Sequence, residues 1–183
     1  MKPNEIILSV TLFILLISVP ACLPGVPLKY HKSPALLRAS ETYRTYRLEE
    51  LRDLSTEILA NPPEKEATAS AQEVFYKLKK LDSATSVGIN YKDYTPYVRE
   101  AKFALDKFSI EFRNEQKLIR FLSLCLKPYI EAQTYFSGYV KGGSFGGGAI
   151  ISKSQNEYYL KDNWRTGSAA VMVAEVLFRL LQS

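Results

Sequence analysis

Histidine occurs once, at His31, and cysteine twice, at Cys22 and Cys125, in 183 residues. That scarcity excludes Cys/His zinc sites, a Ser-His-Asp triad within the folded region and a scaffold held by several disulfides. No metal and no cofactor is expected on these grounds. No apolar run reaches the roughly 20 residues of a spanning helix; the longest, Ile6 to Val19, has 14. The excess of positive charge is small, 24 Lys and Arg against 19 Asp and Glu, with a pI near 9.1. With no nucleic-acid reader motif beside it, that excess argues against nucleic acid as a partner. What is present is ordinary globular material: 46% hydrophobic and 23% charged residues, at a length that suits one domain.

The N-terminus reads as an export signal over residues 1–21. Met1 to Glu5 is short and polar, and the apolar run that follows has the length of a signal h-region. Val19-Pro20-Ala21-Cys22 then places a small residue immediately before a cysteine. This arrangement resembles the lipobox of bacterial lipoproteins, which implies that Cys22 becomes a lipid-modified first residue. Pro20 departs from that pattern, where Ala, Ser, Thr or Val is usual. Ordinary cleavage after Ala21 and an uncleaved anchor remain the alternatives. Export places the chain in the cell envelope, membrane-anchored through Cys22, or otherwise in the periplasm or outside the cell. A disulfide between Cys22 and Cys125 requires an unmodified Cys22; Cys125 sits in an apolar helical pattern that suits a buried free thiol.

Residues 22–39 hold Pro24, Gly25, Pro27 and Pro34 and read as an extended tether. Six cations between Lys29 and Arg52 stand against three glutamates, so Lys29, Lys32 and Arg38 are placed to meet anionic lipid beside the anchor. Residues 40–183 read as an all-α antiparallel bundle of about five helices. The first follows Ser40, with Tyr43, Leu51, Leu54 and Ile58 on one face, and stops at Asn61-Pro62-Pro63. Ser70-x-x-Glu73 is a capping-box signature for the second, which Gly88 ends. Tyr94, Tyr97, Ala101, Leu105, Phe108 and Phe112 stripe the third, and Asn90-x-x-Asp93 suits a start before Pro96. The fourth carries Leu118, Leu122, Cys125, Tyr129, Ala132 and Phe136, with Pro128 expected to bend it. The last is expected from about Trp164, apolar on a broad face and therefore an inner member.

Six of the nine glycines lie between Gly138 and Gly148. Their spacing matches neither a P-loop nor a dinucleotide fingerprint. Residues 138–163 are therefore expected to form a flap, with Ala149–Ser152 and Tyr158–Leu160 as a small β-hairpin. Twelve tyrosines are the oddest feature of the composition. Tyr91, Tyr94 and Tyr97 recur every three residues along one side of a helix start. Tyr135, Tyr139, Phe145, Tyr158, Tyr159 and Trp164 flank the glycines and are the better candidates for a ligand or partner site, since such rings supply rigid area with a polar handle.

Catalytic residues are not assigned. The carboxylates define no pair, and Asp93 and Glu157, near the aromatics, would be the first to test. The sequence therefore points to an exported, lipid-anchored envelope protein that binds or scaffolds, with an envelope protein or glycan as partner. A small carboxylate-dependent hydrolase or glycan-active enzyme, and a structural spacer without a specific ligand, are the alternatives.

Overall fold

The structure, a computed structural model, describes residues 34–141 and 153–182. Its five helices are α1 (Pro34–Ala60), α2 (Lys65–Ser86), α3 (Tyr91–Glu111), α4 (Gln116–Lys141) and α5 (Lys153–Leu181), and there is no strand among the described residues. The all-α expectation is met. The signal segment 1–21, Cys22, His31, Lys29, Lys32, Phe145 and the glycines from Gly142 to Gly148 lie outside the described residues, as does the side chain of Arg38.

Contacts of α4 with α5 and with α1 run in opposite senses along the chain, which makes these two pairs antiparallel. Between α4 and α5, Cys125 meets Ala170, Tyr129 meets Gly167 and Tyr135 meets Tyr159. Between α1 and α4, Tyr43 meets Glu131 while Glu57 meets Lys117. The most extensive interface is α4 with α5, and α4 packs on all four other helices. Its inner face explains that position: Leu118, Phe121, Leu122, Cys125, Leu126, Tyr129, Ala132 and Phe136 are buried at helical spacing. α5 supplies the matching wall through Leu160, Ala170, Val171, Ala174, Leu177 and Phe178.

Helix boundaries follow local chemistry, with three differences from the sequence reading. α1 begins at Pro34, inside the expected tether; proline's fixed φ and missing N–H suit a first helical position. α2 begins at Lys65, so Ser70-x-x-Glu73 is mid-helix and not a capping box. Ala67 and Ala71 are already buried there, and alanine gives a weak hydrophobic signal. The third difference corrects the flap. Gly138 to Lys141 complete α4, Lys153 to Asn163 open α5, and Tyr158-Tyr159-Leu160 is helical rather than a strand. A three-residue apolar run fits either state, and the helical stripe through Leu160 continues upstream to a polar residue, the buried Asn156.

Other boundaries match. Gly88 follows the end of α2 with φ of +85°, a conformation glycine adopts without a Cβ penalty. Asn90 caps α3: its Oδ1 accepts from the Asp93 N–H at 3.0 Å and its Nδ2 donates to the Asp93 carboxylate. The early start of α3 is the observed one, and the helices run unbroken through Pro96 and Pro128. No described helix is long and apolar enough to cross a membrane.

Candidate functional site

The last turns of α4 and the first turns of α5 bring most of the candidate aromatics to one end of the bundle. Tyr135 and Tyr159 stack with ring centroids 5.0 Å apart at 29°, and Tyr158 meets Tyr159 edge-on at 5.5 Å. Tyr139, one turn beyond Tyr135, lies beneath the Lys153 ammonium, 4.9 Å from its ring centre. These four tyrosines are partly buried, with rings against neighbours and the remaining surface in water. Burial, with the neighbouring Tyr159 and Glu131, raises the pKa of the Tyr135 phenol above its ordinary value.

Trp164 belongs to a different, inner cluster. Its ring meets Phe136 at 5.6 Å and 84°, and Tyr94 at 5.7 Å. Tyr91 closes the group on Phe136 at 5.5 Å. The Tyr94 hydroxyl donates to the Tyr129 carbonyl at 2.7 Å, so its buried polar end is satisfied by the backbone of α4. The tyrosine triplet at the start of α3 thus divides by burial: Tyr94 is core, while Tyr91 and Tyr97 are boundary residues.

A residue outside the candidate set joins this end of the bundle. Arg47 on α1 is 3% exposed, and its Nη2 donates to Glu131 Oε1 at 2.7 Å. Its guanidinium lies over the Tyr43 ring at 4.0 Å, and the Tyr43 hydroxyl donates to the same carboxylate at 3.2 Å. Burial pulls the Arg47 pKa down while Glu131 pulls it up. Arg47 Nη1 and Asn156 Oδ1 are buried without hydrogen-bond partners. Glu131 precedes Tyr135 by one turn, so the ion pair and the tyrosine ladder are contiguous on α4. The signal was in the spacing. Tyr43 and Leu51 on the α1 stripe are eight residues apart, and Arg47 fills the missing turn between them. A charge at that position reads as solvated until α4 supplies the partner carboxylate.

The two carboxylates singled out for catalysis have structural partners. Asp93 belongs to the α3 cap, and Glu157 accepts from the Lys161 ammonium at 2.6 Å one turn along α5. Cys125 is a buried free thiol beside the Ala170 carbonyl, and burial raises its pKa, which suppresses the thiolate. Among the described residues no three His, Cys, Asp or Glu side chains gather as a metal site. No protein-family model, curated protein or solved structure matches this chain.

The arrangement suits recognition by surface contact. Three phenol rings form a ladder with fixed geometry, bounded by a cation at Lys153 and by the Arg47–Glu131 pair. Such a surface offers apolar faces to a ligand's C–H groups and hydroxyls to its polar groups.

Proposed function

We propose that this chain is exported, carries a lipid on Cys22 and works by binding an envelope protein or glycan at the cell envelope. The observation that carries the reading is the 14-residue apolar run ending in Val19-Pro20-Ala21-Cys22. Lys29, Lys32 and Arg38 follow the anchor and add attraction to an anionic leaflet, about 1 kcal/mol for each cation near the surface. The contact surface is the ladder of Tyr135, Tyr158 and Tyr159, with Tyr139 and Lys153 at its edge. α1 starts at the same end of the bundle, because α1 and α5 both run antiparallel to α4. The glycine-rich link, with Phe145, joins in sequence the two helices that carry the ladder.

Two measurements test this. Mass spectrometry of the mature protein is expected to show a chain beginning at a diacylated Cys22, and Cys22→Ser is expected to leave the membrane fraction. A mature chain that begins at an unmodified residue rejects the anchor. For the ladder, Tyr135→Ala and Tyr159→Ala are expected to abolish cross-linking of a photo-reactive group at position 158 to envelope components, with helicity retained. Unchanged cross-linking places the contact elsewhere.

A further inference from the structure

We propose that two copies of this chain pair through the outward face of α3, with the two α3 helices side by side and parallel about a two-fold axis. This goes beyond the anchoring reading and uses neither the tether nor the tyrosine ladder. α3 packs on α2 and α4, which leaves one side of the helix uncovered. On that side Phe103 is 72% exposed and Ile110 67%, the most exposed large apolar side chains on α3. Pro96, Phe103 and Ile110 recur every seven residues and form one row about 21 Å long, opposite the buried stripe of Tyr94, Ala101 and Phe108.

The charges beside the row select the partner. At a seven-residue repeat, Lys92, Arg99 and Asp106 lie along one side of it and Asp93, Glu100 and Lys107 along the other, all exposed. Three cations and three acids give the face no net charge, so it favours neither an anionic nor a cationic partner. Their order is what matters: at each level the two sides carry opposite signs. A two-fold axis along α3 sets one side of the row against the other side of the second copy at the same height. Lys92 then meets Asp93 of the second copy, Arg99 meets Glu100 and Asp106 meets Lys107, each twice, with Phe103 on Phe103 at the axis. An antiparallel copy also matches the central charges but sets Asp93 against Glu111 at each end. Among the described residues Arg99, Asp106 and Lys107 are in no ion pair, while Glu100 already meets Lys77 and Lys80 on α2. The parallel pair also keeps every residue at equal height in both copies, so the two Pro34 residues stand level and both tethers can reach one bilayer. That last point rests on the anchoring reading; the charge order does not. One helix pair buries less than the roughly 1,200 Å² of a standard interface, so the pairing is weak in solution and gains from confinement to a shared membrane.

The test uses chains beginning at residue 22 with Cys22→Ser; the buried core of the described residues lies between Arg47 and Phe178, so these chains contain all of it. Sedimentation equilibrium between about 10 μM and about 1 mM is expected to show a reversible monomer–dimer equilibrium. Phe103→Ser should weaken it at least about tenfold, because both copies lose the ring. Tyr76→Ser, an equally exposed site on α2, should change it less than about twofold. Asp106→Lys and Lys107→Asp, each alone, set like charges together twice in the dimer and should weaken it about three- to tenfold. An equal mixture of those two variants should recover the parent affinity, because each then supplies the sign the other lacks. In an antiparallel pair the mixture would still hold one repulsive contact on each side, so recovery also reports the orientation. Circular dichroism melts confirm that each variant folds. A chain that stays monomeric to about 1 mM overturns the proposal, as does a dimer indifferent to Phe103→Ser or weakened as much by Tyr76→Ser. A mixture no tighter than its two components overturns the parallel pairing. These chains carry no lipid, so a missing lipid on Cys22 refutes the anchor and leaves the dimer standing, and the two readings fail separately.

Discussion

Gly167→Ala tests the tightest contact in the bundle. Gly167 lies inside α5, where alanine would ordinarily gain about 1 kcal/mol in helix propensity. A Cβ there would sit 2.6 Å from both Cε2 and Cζ of Tyr129, well inside the roughly 3.5–4.0 Å of a carbon–carbon contact. The ring has no free direction of retreat. Tyr129 is fully buried, its hydroxyl donates to Asp82 Oδ1 at 2.8 Å, and its carbonyl accepts from Tyr94. Either the Asp82 bond stretches, which forfeits about 1.5–3 kcal/mol for a charged acceptor, or α5 moves off α4. Overpacking of this kind costs about 1–3 kcal/mol before that loss. The net expectation is destabilisation by about 2 kcal/mol, a fall in Tm of roughly 4–8 °C for a chain of this size. Urea titration followed by circular dichroism reads it. In a Tyr129→Leu background the ring is gone, and the same substitution should become neutral or stabilise by up to about 1 kcal/mol. A Gly167→Ala chain as stable as its parent, or one whose penalty survives removal of the Tyr129 ring, would refute the argument.

The pair of buried Arg47 with partly exposed Glu131 offers a second test. Glu131→Ala leaves the Arg47 guanidinium buried without its carboxylate and should cost about 3 kcal/mol, while Arg47→Met with Glu131→Leu should be near neutral, both measured by urea titration. Alkaline pH should unfold the chain early. Burial, first of all, pushes the Tyr94 and Tyr129 phenols above their ordinary value near 10, and Asp82 adds to the shift at Tyr129. Their contribution is fully present below about pH 10 and declines above it, because the unfolded chain then releases protons that the folded chain retains. Tyr94→Phe should flatten that decline in Tm measured from pH 8 to 12. At the α2–α3 turn, Gly88→Ala should cost about 1 kcal/mol although nothing lies within 4 Å of the new Cβ, because the cost is the positive φ. Gly88→Asn should cost less. Asn90→Ala should cost about 1 kcal/mol through the lost α3 cap, read by the same titration.

Much of the bundle was legible in the chain itself. Apolar periodicity marks the buried stripes of α3 and α4, Gly88 and Asn90 mark the turn between α2 and α3, and short links make consecutive helices neighbours. These are local effects, in which side-chain spacing, capping oxygens and a positive φ each act within a few residues. The candidate aromatics also stand out in the sequence, as one group around the glycines. Only the tertiary structure separated Trp164 into the inner cluster with Tyr94 and Phe136, and set Tyr135 on Tyr159 as a surface ladder. Those pairings join residues two dozen or more positions apart, and no local spacing encodes them.

Where the structure departs from the sequence pattern, the cause is again long-range packing. The apolar triplet Tyr158-Tyr159-Leu160 is compatible with strand or helix, and its packing on α4 decided for helix. The α2 start was hidden because Ala67 and Ala71 are weak hydrophobic signals until they meet their neighbours. By itself the sequence determined the all-α class and the helix stripes, because these depend on composition and short-range periodicity. The pairing of Arg47 with Glu131, the close approach of Gly167 to Tyr129 and the uncovered face of α3 were decided by the tertiary structure. A charge, a glycine or an exposed Phe103 acquires its meaning from what a distant segment places, or fails to place, against it.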